Sequence, residues 1–117
     1  MRILGFSKHW AKLEQKEFST FRLRRRDRDW QDGELVQVVY KPRSKSRERL
    51  GIAEIISKEP RCLLTGAVLH CRRVTFGEAI EDGFSSLTDM ENWMLYAHGD
   101  RAKKEPLNKL TLRWVDS

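Results

Sequence analysis

The chain has 117 residues, 39% of them hydrophobic and 34% charged, with a formal net charge of +6 at pH 7. This length suits a single domain, residues 1–117, with a compact core. No stretch approaches the roughly 20 apolar residues of a membrane span, and the N-terminus lacks the apolar core of a secretory signal. The sequence therefore predicts a cytoplasmic protein whose two cysteines are reduced.

The N-terminal half predicts mainly strands. Arg2–Phe6 is a short apolar run that suits a strand, and residues 9–15 contain helix formers. The turn signal Gln-Asp-Gly at residues 31–33 precedes Leu35–Tyr40, which is rich in β-branched residues. We expect residues 18–26 and Leu35–Tyr40 to form neighbouring antiparallel strands.

Apolar and polar residues alternate through residues 18–26. Phe21 and Leu23 occupy odd-numbered positions, whereas a threonine and three arginines occupy the even-numbered positions. The polar set is Thr20, Arg22, Arg24 and Arg26. Because successive strand residues point to opposite faces, these four side chains are expected on one face.

A basic loop is predicted next. Lys41–Arg49 contains Pro42 and five basic residues without an apolar one, which is typical of an exposed loop. Leu50–Ile56 resumes strand character, and Pro60 is expected to interrupt it. Residues 61–74 mix strand and loop signals and give no single prediction.

Two helices are predicted in the last third of the chain. Residues 75–80 indicate a short helix that the Asp-Gly pair at residues 82–83 ends. Ser86 can cap a second helix, which Gly99 ends. Its apolar residues recur at helical spacing and are Leu87, Met90, Trp93, Met94 and Ala97. We expect Trp93 to lie in the core.

The C-terminus completes the fold prediction. Residues 100–106 indicate a charged linker, and Leu107–Val115 indicates a closing strand with Leu110, Leu112 and Trp114 on one face. Five or six strands with two or three short helices, and strands at both ends, favour an α+β fold. Few crossover helices favour a small, mostly antiparallel β-barrel over a parallel sheet.

Positive charge is concentrated in residues 22–49. That segment holds ten of the 23 Lys and Arg residues against five acids, whereas the remainder holds 13 basic and 12 acidic residues. A local excess predicts one positive face, which attracts phosphate. The expected groove residues are Arg22, Arg24, Arg26, Lys41, Arg43 and Lys45, with Trp30 as a candidate for base stacking. The alternatives are a solvated basic surface and a protein-interaction module.

Several segments together carry a family resemblance. They are Gln15–Arg22, the Asp32–Glu34 turn, Gly51–Ile56, Ala79–Phe84, the helix through Trp93, and Leu107–Trp114. In this order they resemble the ASCH domains of the PUA-like superfamily, small β-barrels associated with RNA, over nearly the whole chain. The family signature Gly-x-Lys-x-x-Glu-x-Arg falls on residues 15–22, where Arg22 alone keeps its type. The resemblance implies an RNA- or nucleotide-binding domain.

The resemblance also implies an alternative function. Small bacterial members that deacetylate N4-acetylcytidine are similar and use a Lys, a Thr and a Glu. Thr20 matches their Thr, and Glu81 or Asp82 matches their Glu, whereas their Lys falls on Glu17, with Lys16 one residue away. A one-residue offset along a strand reverses the face of a side chain. The alternative is thus a small hydrolase, an N4-acetylcytidine amidohydrolase-like enzyme or a ribonuclease.

Metal and cofactor binding are not predicted. Cys62, His70 and Cys71 are soft ligands, but they lack the paired spacing of zinc sites. The sequence also lacks a P-loop and a dinucleotide-binding glycine pattern. The expected partner is RNA, single-stranded nucleic acid or a nucleoside, and not a membrane; the oligomeric state is left open.

Overall fold

The computed structural model describes residues 1–7, 10–63 and 71–116, without the side chain of the last of these. Within these ranges five strands form one sheet: β1 (Arg2–Phe6), β2 (Glu17–Leu23), β3 (Leu35–Tyr40), β4 (Glu48–Arg61) and β5 (Leu107–Asp116). A 3-10 turn, Ala11–Glu14, joins β1 to β2. The described helices are α1 (Phe76–Asp82), α2 (Leu87–His98) and α3 (Arg101–Lys104).

The strand order in the sheet is β1-β3-β4-β5-β2. β1 runs parallel to β3, and the other neighbours are antiparallel. The pairing of β4 with β5 shifts register twice, between Ile52 and Ala53 and between Ile55 and Ser57. Such bulges bend a strand and increase its twist. The described part of the chain is therefore a small α+β fold built on a curled half-barrel, in agreement with the barrel-like expectation at this level.

The predicted pairing of residues 18–26 with Leu35–Tyr40 is wrong. β2 pairs with β5, with Thr20 opposite Leu110, whereas β3 lies between β1 and β4. Alternation along a sequence predicts a strand and its two faces, but it does not specify the partner strand.

The expected break at Pro60 is also wrong, since β4 continues to Arg61. The pairing of β3 with β4 extends only to Glu54, and the last residues of β4 pair with β5 alone among the described strands. Pro60 thus lies in a part of β4 that has a described neighbour strand on one side alone. Proline lacks an N–H and is tolerated at such a sheet edge.

Two apolar clusters lie on opposite faces of the sheet. The inner core contains Leu4, Phe6, Phe18, Trp30, Val36, Val38, Ala53, Ile55, Leu110 and Leu112. The helix-side core contains Phe21, Leu63, Val74, Ala79, Phe84, Met90, Met94, Ala102 and Leu107. Strand residues Phe18 and Phe21 have opposite parity and therefore enter different clusters. Trp114 packs against the inner core, as its parity with Leu110 and Leu112 predicts.

The predicted helices are confirmed with small differences in their bounds. Thr75 and Glu78 form a reciprocal capping box at α1, and Ser86 accepts a hydrogen bond from the Asp89 amide at α2. The prediction of a charged linker at residues 100–106 is wrong in part, because Arg101–Lys104 forms the short helix α3. Trp93 is 40% exposed rather than buried, since α2 packs through Met90 and Met94.

Candidate nucleic-acid interface

A large cleft opens where the half-barrel does not close. β1 and β2 are the two edge strands of the described sheet, and residues of both line this cleft of about 1300 Å³. The loop that follows β3, the end of α1, and one side of α2 complete the described walls. The cleft thus follows from the sheet order, which places the two unpaired edges around it.

The described walls of the cleft are strongly positive. They contain eight basic and two acidic residues, so their formal charge is about +6. The basic residues are Lys12, Arg22, Arg24, Arg25, Arg26, Lys41, Arg43 and Arg101, and the acids are Asp27 and Asp82. Five of the six predicted basic groove residues are in this set. Lys45 is exposed on the same loop but is outside the described lining.

Arg22 is fixed in orientation and partly removed from solvent. Its Nε donates a hydrogen bond of 3.2 Å to the Thr20 hydroxyl, and its guanidinium carbon lies 4.6 Å from the centre of the Phe6 ring. Burial lowers the pKa of Arg22 to about 10, against an opposing effect of the Asp82 charge. The predicted common face of Thr20 and Arg22 is confirmed by this hydrogen bond. β2 ends at Leu23, however, so Arg24 and Arg26 extend from the following loop.

A buried ion pair lies in the cleft beside these residues. The Lys12 ammonium donates to a carboxylate oxygen of Asp82, and both side chains are almost fully buried. Burial lowers the pKa of Lys12 and raises that of Asp82, while the mutual attraction of the pair opposes both changes. Sequence reasoning missed Lys12. The one available signal was a lysine between Trp10 and Leu13, two residues that pack against the core.

A glycine fixes the position of the Asp82 end of this pair. Gly83 ends α1 with φ 108°, a conformation that residues with a Cβ rarely adopt. A Cβ on Gly83 would also collide with the indole of Trp10. Trp10 therefore packs directly on the turn that follows Asp82. The Lys12 ammonium lies 5.4 Å from the Trp10 ring centre, so the indole also covers the ion pair.

The aromatic residues of the cleft differ from the prediction. Trp10 and Trp93 line the cleft, and Trp93 is substantially exposed. Trp30 also borders the cleft but is only 3% exposed, so the expectation of an exposed stacking residue at Trp30 is wrong. The guanidiniums of Arg2 and Arg25 lie 4.5 and 5.3 Å from the centre of the Trp30 ring. Cation–π contacts of this kind allow charged side chains of a polar turn to cover the indole.

The predicted catalytic residues divide into two groups. Thr20 and Asp82 line the cleft together and are buried. Lys16 and Glu81 are exposed and are outside the described lining of the cleft. Lys16 precedes β2, which begins at Glu17, so the strand does not place its side chain beside Thr20. Glu81 borders a smaller neighbouring depression with Gln15.

The metal-binding candidates do not form a described cluster. No group of three or more His, Cys, Asp or Glu side chains is arranged for a metal within the ranges that the structure describes. The Cys62 thiol donates instead to the backbone carbonyl of Cys71. His70, the remaining candidate, lies outside the described residues.

Comparison with known proteins gives no family for this chain. No family model matches it, and neither a curated protein nor a solved structure shows significant similarity. In the described part of the chain, no helix has the length and apolar character needed to cross a membrane. The function is therefore inferred from the cleft itself.

Proposed function

We propose that the protein binds RNA or a nucleotide in the cleft between β1 and β2, as an ASCH-like domain of the PUA-like type. The observation that carries this proposal is the meeting of Arg22, Arg24, Arg26, Lys41 and Arg43 with exposed aromatic surface in one concave site. Guanidiniums bind phosphate oxygens through charge-assisted, often bidentate hydrogen bonds. Phosphate contacts of this kind position a nucleic acid without reading its sequence.

Base stacking supports a single-stranded ligand. Trp93 lines the cleft and is substantially exposed. Trp10 also lines it and makes a T-shaped contact with Phe84 at a centroid distance of 5.5 Å. Stacking of a base on such a ring contributes about 1–3 kcal/mol and tolerates different bases. A duplex hides its base faces, so unpaired RNA or a free nucleotide suits this site better.

The first experiment is fluorescence anisotropy of a short single-stranded RNA over a salt series. For the wild-type protein we expect log affinity to decrease linearly with log salt. The double variant Arg24→Ala/Arg43→Ala removes two cations of the cleft, and its slope should be smaller in magnitude by about 1.4, at about 0.7 per phosphate contact.

The matched control is Lys45→Ala/Arg47→Ala, which removes the same charge from exposed positions outside the described cleft lining. This control should keep the wild-type slope. Equal slopes for the two double variants would show a diffuse basic surface, and absence of RNA binding at low salt would contradict the proposal.

A second candidate function is hydrolysis of an acylated nucleoside such as N4-acetylcytidine. It is favoured by one observation: the Lys12–Asp82 pair and the Thr20 hydroxyl line the same cleft as Arg22. Amide hydrolysis needs a group that transfers a proton and a cation that stabilises the developing oxyanion. Buried, titratable residues with shifted pKa values are candidates for the first task, and a fixed guanidinium is a candidate for the second.

Chromatography of N4-acetylcytidine incubated with the protein tests this candidate. If it is correct, the wild type releases cytidine, and Asp82→Asn and Thr20→Ala reduce the rate by about 100-fold or more while retaining the wild-type circular dichroism spectrum. Glu81→Gln should keep the rate, because Glu81 lies outside the described cleft lining. A wild-type protein that releases no cytidine would exclude this activity.

A further inference from the structure

One part of the cleft brings together three basic side chains from three different elements of the fold. The strand residue Arg22, His98 at the end of α2, and Arg101 in α3 all line it; we refer to these three residues as the anion cluster. Burial lowers the pKa of the His98 imidazole, and the nearby charges of Arg22 and Arg101 lower it further. Three basic groups from three elements therefore surround one region of the cleft.

The acids near the anion cluster already have partners. Within the described residues, Asp82 is the acid whose charge acts on Arg22, and it accepts the buried Lys12 ammonium. Glu105 accepts a hydrogen bond of 2.6 Å from the Nε of Arg101. The Arg22 guanidinium bonds to a neutral hydroxyl rather than to a carboxylate. A partly buried guanidinium in such a setting is stabilised when an anion from solution binds to it.

The anion cluster is held in place by the fold. Thr20 and the Phe6 ring orient Arg22, and the other arm of Arg101 donates a hydrogen bond of 2.6 Å to the backbone carbonyl of Arg24. That bond joins α3 to the loop that follows β2. Fixed donors lose little conformational freedom when a ligand binds, which raises affinity.

We propose that the anion cluster binds the terminal phosphate monoester of the nucleotide or oligonucleotide in the cleft. This inference rests on the proposed function and extends it to recognition of a strand end. A terminal monoester carries a charge of about −1.5 to −2 and three acceptor oxygens, whereas an internal phosphodiester carries one charge. Two guanidiniums and an imidazole match the monoester. Arg24 and Arg43, which are exposed, then bind internal phosphates of the same oligonucleotide.

Competition anisotropy with three forms of one short oligoribonucleotide tests this inference. The competitors carry a 5′-phosphate, a 3′-phosphate, or a hydroxyl at both ends. We expect one of the phosphorylated forms to compete about tenfold better than the hydroxyl form, because the terminal phosphate adds charge-assisted hydrogen bonds that the hydroxyl form lacks. The form that competes better identifies the end.

Variants of the anion cluster locate the effect. His98→Gln and Arg101→Gln should reduce the preference for the phosphorylated end to about twofold or less. Lys103→Gln is the matched control for charge, since Lys103 is exposed on the same short helix and outside the described cleft lining. It should keep the preference. Circular dichroism checks that each variant is folded.

The outcomes separate this inference from the proposed function. Equal competition by all three forms, with clear RNA binding, overturns the terminal-phosphate site and leaves RNA binding in the cleft intact. A preference that survives both His98→Gln and Arg101→Gln also overturns it. If no form binds at low salt, the proposed function is contradicted and the inference is contradicted with it.

Discussion

Replacing Lys12 with methionine is expected to lower the free energy of unfolding by about 3–5 kcal/mol. Methionine keeps the length of the side chain but leaves the Asp82 carboxylate buried without its partner. Burial already raises the pKa of Asp82, and loss of the ammonium raises it further. The variant carboxylate is therefore least costly when protonated, so the destabilisation should become smaller as the pH decreases.

Urea unfolding followed by circular dichroism measures this effect. Lys16→Met is the matched control, because Lys16 is exposed and its replacement should change stability by less than about 0.5 kcal/mol. The double variant Lys12→Met/Asp82→Leu removes both charges and should recover most of the lost stability. A Lys12→Met protein as stable as the wild type would mean that the pair is not buried as described.

Replacing Glu78 with glutamine should also destabilise the protein by about 3 kcal/mol at pH 7. Glu78 accepts hydrogen bonds from Arg61 at 3.0 Å and from Lys109 at 2.8 Å, which join α1 to β4 and β5. Glutamine preserves the capping box with Thr75, so the variant isolates the loss of charge. The guanidinium of Arg61 is almost fully buried and would lose its main partner.

The pH dependence of this effect follows from the low pKa of Glu78, which is about 2 in the folded protein against 4.5 as its ordinary value. Burial alone would raise this pKa, but hydrogen bonds from Lys109, the Thr75 amide and Arg61, together with the charge of Lys109, outweigh it and keep the carboxylate ionised. The contribution of Glu78 to stability is therefore complete above about pH 4.5 and is lost as the pH decreases towards 2.

Urea unfolding at several pH values compares the two proteins. The difference between wild type and Glu78→Gln should be largest at neutral pH and should shrink below pH 4.5. Glu81→Gln, on the exposed side of the same helix, should stay within about 0.5 kcal/mol of the wild type. A difference that does not change with pH would contradict an ionic role for Glu78.

Local signals in the sequence predict local structure well. Leu35–Tyr40 has the predicted bounds because three valines concentrate β-branched residues between the Asp-Gly turn and Pro42. The start of α2 was predicted because Ser86 caps it through its own side chain. Thr20 and Arg22 share a face because the period of a strand requires it.

Features that depend on distant residues were not predictable. Residues of β2 pair with residues of β5 that lie 84 to 96 positions later in the chain, so no turn between the two strands indicates the pairing. Lys12 and Asp82 are 70 residues apart, and neither position alone reveals a buried ion pair. The exposure of Trp93 and the burial of Trp30 likewise depend on which neighbours the fold brings to each side of an indole.

The four tryptophans of the chain offer the most direct test of RNA binding in the cleft. In a two-dimensional nitrogen–proton NMR titration with single-stranded RNA, each indole N–H gives one signal. Trp10 and Trp93 line the cleft, whereas the Trp114 indole donates to the Leu13 carbonyl away from the described lining. We predict that the Trp10 and Trp93 signals shift most and the Trp114 signal least. Equal shifts at all four positions, or a largest shift at Trp114, would contradict binding in the cleft.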